Sequence, residues 1–157
     1  MKKLYYNALA TQKRRPHLFQ YGTQEMLVRV VAPDVHLDPD NMIGTLISFE
    51  YIEEDNKTYF KMLNRTILPS ANMENKPVRI FERTGKRLIF AFANSYKDRQ
   101  MLKFTAGSKH HKLVLVLDHD SSDEFIHERP KLLKLAKEEN WTVVSMKKAF
   151  KKIFSFY

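Results

Sequence analysis

Asp118 and Asp120 stand one residue apart at the end of an apolar run, Lys112-Leu-Val-Leu-Val-Leu117, and Asp123, Glu124 and His127 follow soon after. Carboxylates at alternate positions of a strand end project to the same side. Two of them can share a magnesium ion, which takes few protein ligands and keeps waters or phosphate oxygens in its other positions. Asp123 and His127 are four apart, so a helical turn would present both to one ion. That pattern suits metal-assisted phosphoryl transfer, with Asp118, Asp120 and Asp123 as catalytic carboxylates and Asp118, Asp120 and His127 as magnesium ligands. The same residues also suit a plainer role, in which Asp118 and Asp120 form a surface turn and Asp123 caps the next helix. The sequence favours the plainer role.

Locally, Leu115-Val-Leu-Asp-His-Asp-Ser-Ser122 resembles the Asp-x-Asp strand of Toprim domains and the Asp-x-Asp-x-Thr loop of haloacid-dehalogenase phosphatases. The likeness ends with this segment. A Toprim domain needs a glutamate ending an earlier parallel strand, and Arg87–Phe92 runs instead into Ala93-Asn94; the phosphatase loop opens its domain and has Thr where Ser122 stands. Pro39-Asp40 with Glu74-Asn75-Lys76 resembles the Pro-Asp…Glu-x-Lys layout of many nucleases, whose Glu and Lys sit on a strand, whereas residues 72–77 read as a loop. The loop 33–40, with Asp34, His36, Asp38 and Asp40, lacks the glycine and terminal glutamate of a calcium loop and reads as a polar turn. His110-His111 reads as a local polar pair. There is no Ser-His-Asp series, glycine-rich phosphate loop or His-Glu-x-x-His.

Charge gives a second line of reasoning. The 157 residues carry a net +9, and the charge is segregated: residues 1–20 hold five basic groups and no acid, residues 21–60 net −6, residues 61–113 net +9 and residues 114–157 net +1. Such segregation points to a basic face, and nucleic acid is the default polyanion. Lys13, Arg14 and Arg15 form an N-terminal basic arm. With 43% hydrophobic residues the chain can build a core. The absence of cysteine excludes disulfides and thiolate metal sites. No apolar run is long enough to span a bilayer, so a cytoplasmic protein without a membrane partner is expected. A compact, lysine-rich chain of this kind suits a phage or mobile element.

The elements that would position these residues follow from periodicity and turn chemistry. Met26–Val31 is expected to be a strand. Gly44–Glu53 and Lys57–Leu63 form a hairpin around Glu53–Lys57, rich in aromatic residues. A second hairpin is expected to pair Pro77–Glu82 with Lys86–Phe92 around Gly85. It would display Arg83, Lys86 and Arg87 at its tip and Arg79 on the same face. Asn94–Phe104 is helical, exposing Lys97 and Arg99. Lys112–Leu117, the helix Pro130–Glu139 and Trp141–Ser145 make a β-α-β unit. The closing helix from Met146 pairs an apolar face with Lys147, Lys148, Lys151 and Lys152; that basic helix is a possible docking point for a protein partner.

The expected architecture is therefore a single α+β domain over residues 25–157, with a basic arm, residues 1–24, that is part of the domain or flanks it. It has antiparallel hairpins in the N-terminal two-thirds and a β-α-β-α C-terminal third. The expected function is sequence-nonspecific nucleic-acid binding without a cofactor, through Lys13, Arg14, Arg15, Arg79, Arg83, Lys86, Arg87, Lys97 and Arg99. Tyr51, Tyr59 and Phe81 would be available to stack on unpaired bases. The alternatives are a magnesium-dependent nuclease built on Asp118-x-Asp120, and a small protein-binding inhibitor or adaptor.

Overall fold

The computed structural model describes residues 18–67, 71, 73–122 and 129–150. Helices accompany one antiparallel pair and two sets of parallel strands, an α+β architecture as expected. The chain divides into two compact units, residues 1–83 and 84–157. Among the described residues no helix is long and apolar enough to cross a membrane.

In the first unit, β1 (Leu18–Gln24) runs directly into α1 (Glu25–Val31). The chain returns through two 3-10 turns to β2 (Met42–Thr45), which lies parallel to β1 with Leu18 opposite Met42. The strand expected at Met26–Val31 is thus a helix. All of its residues but Arg29 are apolar, so hydrophobicity alone could not reveal the period. The buried set Glu25, Val28 and Ala32 has helical spacing, while Met26, Leu27, Val30 and Val31 are exposed. Val28 and Ala32 join Leu37 and Met42 in a small core.

Glu25 is a buried acid with a full set of partners. Its Oε1 accepts from Arg29 Nε and Nη2 at 3.2 and 2.9 Å, and its Oε2 accepts from the backbone N–H of Gly44 at 3.1 Å. Arg29 Nη1 also donates to Asp40 Oδ1 at 3.1 Å. The hydrogen bond to Glu25 lifts the Arg29 pKa above its ordinary value, against the opposing pull of partial burial. This network ties the helix start to β2 and to the loop 33–40. There Asp38 accepts from the Asp40 N–H, so the loop is the polar turn expected.

The hairpin of β3 (Ile47–Glu54) and β4 (Lys57–Thr66) forms as expected. Its two-residue turn has Asp55 and Asn56 at φ 51° and 58°, the left-handed pair of a type I′ turn, whose twist matches the strands. The second expected hairpin does not form: Asn75–Thr84 is helix α2. Lys76 and Ile80, four apart, are buried, and Pro77 sits in the first turn, where a missing N–H costs no internal bond. Gly85 has the expected positive φ, 63°, but it follows a helix end rather than forming a ribbon tip.

In the second unit, β5 (Phe90–Ala93), β6 (Leu113–Asp118) and β7 (Thr142–Ser145) form a parallel sheet in that order. The crossover between β5 and β6 is α3 (Arg99–Ala106), entered by a turn at Tyr96–Asp98, and that between β6 and β7 is α4 (Arg129–Glu138). Parallel neighbours require such crossovers. Leu102 from α3, Leu132 and Ala136 from α4, and Val114, Val116 and Leu117 from the central strand are buried. The β-α-β unit expected at the C-terminal third is therefore present, with β5 and α3 added before it. Of the closing helix, Met146–Ala149 (α5) is described; its continuation lies outside the described residues.

Candidate nucleic-acid interface

Two basic segments far apart in sequence enter neighbouring strands. Lys86-Arg87 precedes β5 and Lys109-His-His-Lys112 precedes β6, and the register sets Phe90 opposite Leu113. The Leu113 N–H donates to the Ile89 carbonyl at 2.9 Å, so the two segments run side by side at the amino end of the sheet. Lys86, Arg87, Lys109, His110, His111 and Lys112 are all exposed. The turn that carries the histidines is anchored from beneath: Ser108 is buried, its hydroxyl accepts from the His110 N–H at 3.4 Å, and its carbonyl accepts from Lys112 Nζ at 2.7 Å.

Arg87 is held by α3. Its guanidinium lies over the Phe104 ring at 4.5 Å and Nη1 donates to the Phe104 carbonyl at 2.8 Å. Gly107 leaves room for it; a Cβ there would lie 2.6 Å from Arg87 Nη1. The bound Arg87 keeps donor groups beyond the one spent on Phe104, since a guanidinium carries five N–H. Fifteen basic and eight acidic residues fall within 84–157, so most of the net charge belongs to this unit. Of the acids near the amino end, Glu139 is neutralised by Lys103 at 3.0 Å.

The register of the parallel sheet gathers none of the other residues expected to grip phosphate. Arg79 and Arg83 share a face because α2 sets them four apart, rather than because a strand alternates. Arg79 is 15% exposed and pairs with Glu82 at 2.6 Å, while Arg83 donates to the Asp40 carbonyl at 3.2 Å. Lys97, in the turn before α3, and Arg99, its first residue, lie at the opposite end of the sheet from Arg87. Arg99 lies over the Tyr96 ring at 4.8 Å and donates to its carbonyl. Lys13, Arg14 and Arg15 lie outside the described residues.

The carboxyl end of the sheet carries the acidic loop. Asp118 ends β6, and Asp120 turns to β7: Oδ2 accepts the Ser145 hydroxyl at 2.5 Å and Oδ1 accepts the Lys147 N–H at 2.9 Å. Ser145 in turn caps α5 by accepting the Lys148 N–H at 3.0 Å. On the other side, Asn94 Nδ2 and His119 Nε2 are 3.1 Å apart, joining the ends of β5 and β6. Asp120 thus joins two strand ends and starts a helix. Among the described residues no group of three His, Asp or Glu side chains is placed to hold a metal, and Asp123 and His127 lie outside them. Of the nuclease-like layout, Lys76 is buried on a helix and Asp40 pairs with Arg29.

Sequence reasoning identified Lys86 and Arg87, read His110-His111 as a local polar pair, and did not single out Lys109 or Lys112. The signal available was position: Lys109–Lys112 immediately precedes one strand of the parallel sheet and Lys86-Arg87 lies just before its neighbour. Compared with known proteins, the chain matches no family model and no curated protein.

Proposed function

We propose that this protein binds nucleic acid through its phosphates, with the amino end of the parallel sheet in residues 84–157 as the gripping surface. The observation that supports this reading is the pairing of β5 with β6, which sets Lys86-Arg87 beside Lys109–Lys112. Cations on two chain segments that the strand register sets side by side suit successive phosphates, and phosphate contacts carry no sequence information. Binding is accordingly sequence-nonspecific and driven by counterion release. The arm Lys13–Arg15 would add contacts from the N-terminus. No catalytic step is assigned to the protein.

The test is the salt dependence of binding to labelled single- and double-stranded DNA and RNA in EDTA. The triple variant Lys86→Ala, Lys109→Ala, Lys112→Ala should weaken binding to every probe and lower the log–log salt slope by about 2–3, at roughly 0.7–0.9 per lost phosphate contact. Arg79→Ala, whose guanidinium is committed to Glu82, should leave the slope nearly unchanged. Equal loss in both variants would place the contact surface elsewhere. Probes shortened only when magnesium is present, and intact with Asp118→Ala, would instead establish the nuclease reading.

A further inference from the structure

The amino end of the parallel sheet holds two side chains whose charge is not fixed. His110 and His111 stand between Lys109 and Lys112 in the turn that enters β6, and all four are exposed. Four consecutive residues span at most about 11 Å, comparable to a Debye length, so each imidazole shares the field of both lysines whatever its rotamer. The Ser108 hydroxyl accepts the backbone N–H of His110 and leaves the ring uncommitted. Neither ring hydrogen-bonds or ion-pairs with a described residue. His119 differs, since its ring meets Asn94 Nδ2 at the other end of the sheet.

The charges that meet at this end are mostly positive. Lys86 and Arg87 arrive ahead of β5, where the Leu113 N–H donates to the Ile89 carbonyl. The helices that finish here bring Lys103 on α3, Lys137 and Glu138 on α4, and Glu139 just beyond it. Glu139 pairs with Lys103 at 3.0 Å and Glu138 with Lys134 at 3.9 Å, so each acid is matched by a lysine. Histidine ordinarily titrates between about pH 5 and 8, whereas lysine and arginine stay charged throughout. Within that range the charge of the strip is therefore set at His110 and His111.

We infer that His110 and His111 make the phosphate grip pH-dependent, tightening it as pH falls from about 8 to about 5.5 and taking up protons on binding. The inference rests on the nucleic-acid reading above and adds its regulation. Lys86, Arg87, Lys109 and Lys112 supply a constant hold, and the two imidazolium groups add contacts that acid conditions switch on. Phosphates laid along the strip favour the charged rings, and linkage makes the effect reciprocal: charged rings favour the phosphates.

The test is equilibrium binding of the full chain to oligothymidylate lacking terminal phosphates, whose own charge is constant over that range. At about 0.7 per phosphate contact on a single strand, the log–log salt slope should steepen by about 1.4 between about pH 8 and 5.5. Affinity at about 0.1 M salt should rise about tenfold or more over the same range. His110→Gln with His111→Gln should abolish the pH dependence and hold binding at the level the parent shows at the alkaline end. His110→Lys with His111→Lys should abolish it too, but at the level of the acid end, which a merely structural role of the rings would not produce. His36→Asn, at an exposed histidine of the other unit whose φ of 54° suits asparagine, should change nothing. Parent binding indifferent to pH overturns the inference and leaves the nucleic-acid reading standing, as does a pH dependence that survives His110→Gln with His111→Gln. Failure to bind at any pH overturns that reading, and the inference falls with it.

Discussion

Replacing Asp120 by alanine decides what the acidic loop is for. Its carboxylate accepts two hydrogen bonds, from the Ser145 hydroxyl and the Lys147 N–H, at 2.5 and 2.9 Å. Hydrogen bonds to a charged acceptor contribute about 1.5–3 kcal/mol each when buried. Asp120 and Ser145 are half-buried, so water recovers part of that, and the pair together should contribute about 2–3 kcal/mol. For a chain of this size each kcal/mol corresponds to about 2–4 °C, which puts the loss in melting temperature at about 4–12 °C. Ser145→Ala breaks the same connection and the α5 cap as well, so the two substitutions should be non-additive, with a coupling of about 1 kcal/mol or more. Melting followed by circular dichroism in EDTA, on both single variants and the double, measures this directly. A carboxylate kept for metal binding behaves oppositely: without metal, its removal relieves repulsion from Asp118 and stabilises the fold. An Asp120→Ala protein that melts at or above the parent temperature, with an additive Ser145→Ala effect, would refute the structural role.

The Glu25 network should show a steep order of costs in urea unfolding. Glu25→Ala removes the acceptor of the buried Gly44 N–H and of Arg29 Nε and Nη2 and should cost about 3 kcal/mol, whereas Asp40→Ala, at an exposed carboxylate, should cost under about 1 kcal/mol. Similar losses in the two would show that burial does not govern the network. A raised arginine pKa contributes stability that is lost only as pH climbs past the arginine range, so Arg29 itself adds no pH dependence under ordinary conditions. Tyr59 donates its hydroxyl to Glu54 at 3.0 Å, and that bond raises its pKa. Its contribution is present below the ordinary tyrosine range and lost as pH rises through the raised value; in an absorbance titration, Glu54→Gln should shift the Tyr59 transition down, and an unchanged midpoint would rule the bond out. Gly85→Ala meets no neighbouring atom, so the roughly 1 kcal/mol loss expected in a thermal melt comes from the left-handed backbone alone.

The sequence alone determined the elements whose pattern admits one solution. An aromatic, β-branched run broken by Asp55-Asn56 can only be a tight hairpin, and a continuous apolar run followed by a helix and a short strand specifies the β6-α4-β7 unit. Residues 26–31 and 75–84 were opaque for opposite reasons. In the first nearly every side chain is apolar, so no period shows until the fold buries Val28 and exposes Val30. In the second a proline and a glycine suggest a turn, yet the same residues serve equally well in a first helical turn and just beyond a helix end. Tertiary structure alone decided which of these residues come together. Asp120 is spaced from Asp118 as a metal ligand would be, but Ser145 and the start of α5 claim its carboxylate. Lys86-Arg87 and Lys109–Lys112 are more than twenty residues apart, and only the strand register brings them together. Charge and hydrophobicity are local properties of a sequence, whereas which groups share an ion, a phosphate or a partner depends on long-range pairing.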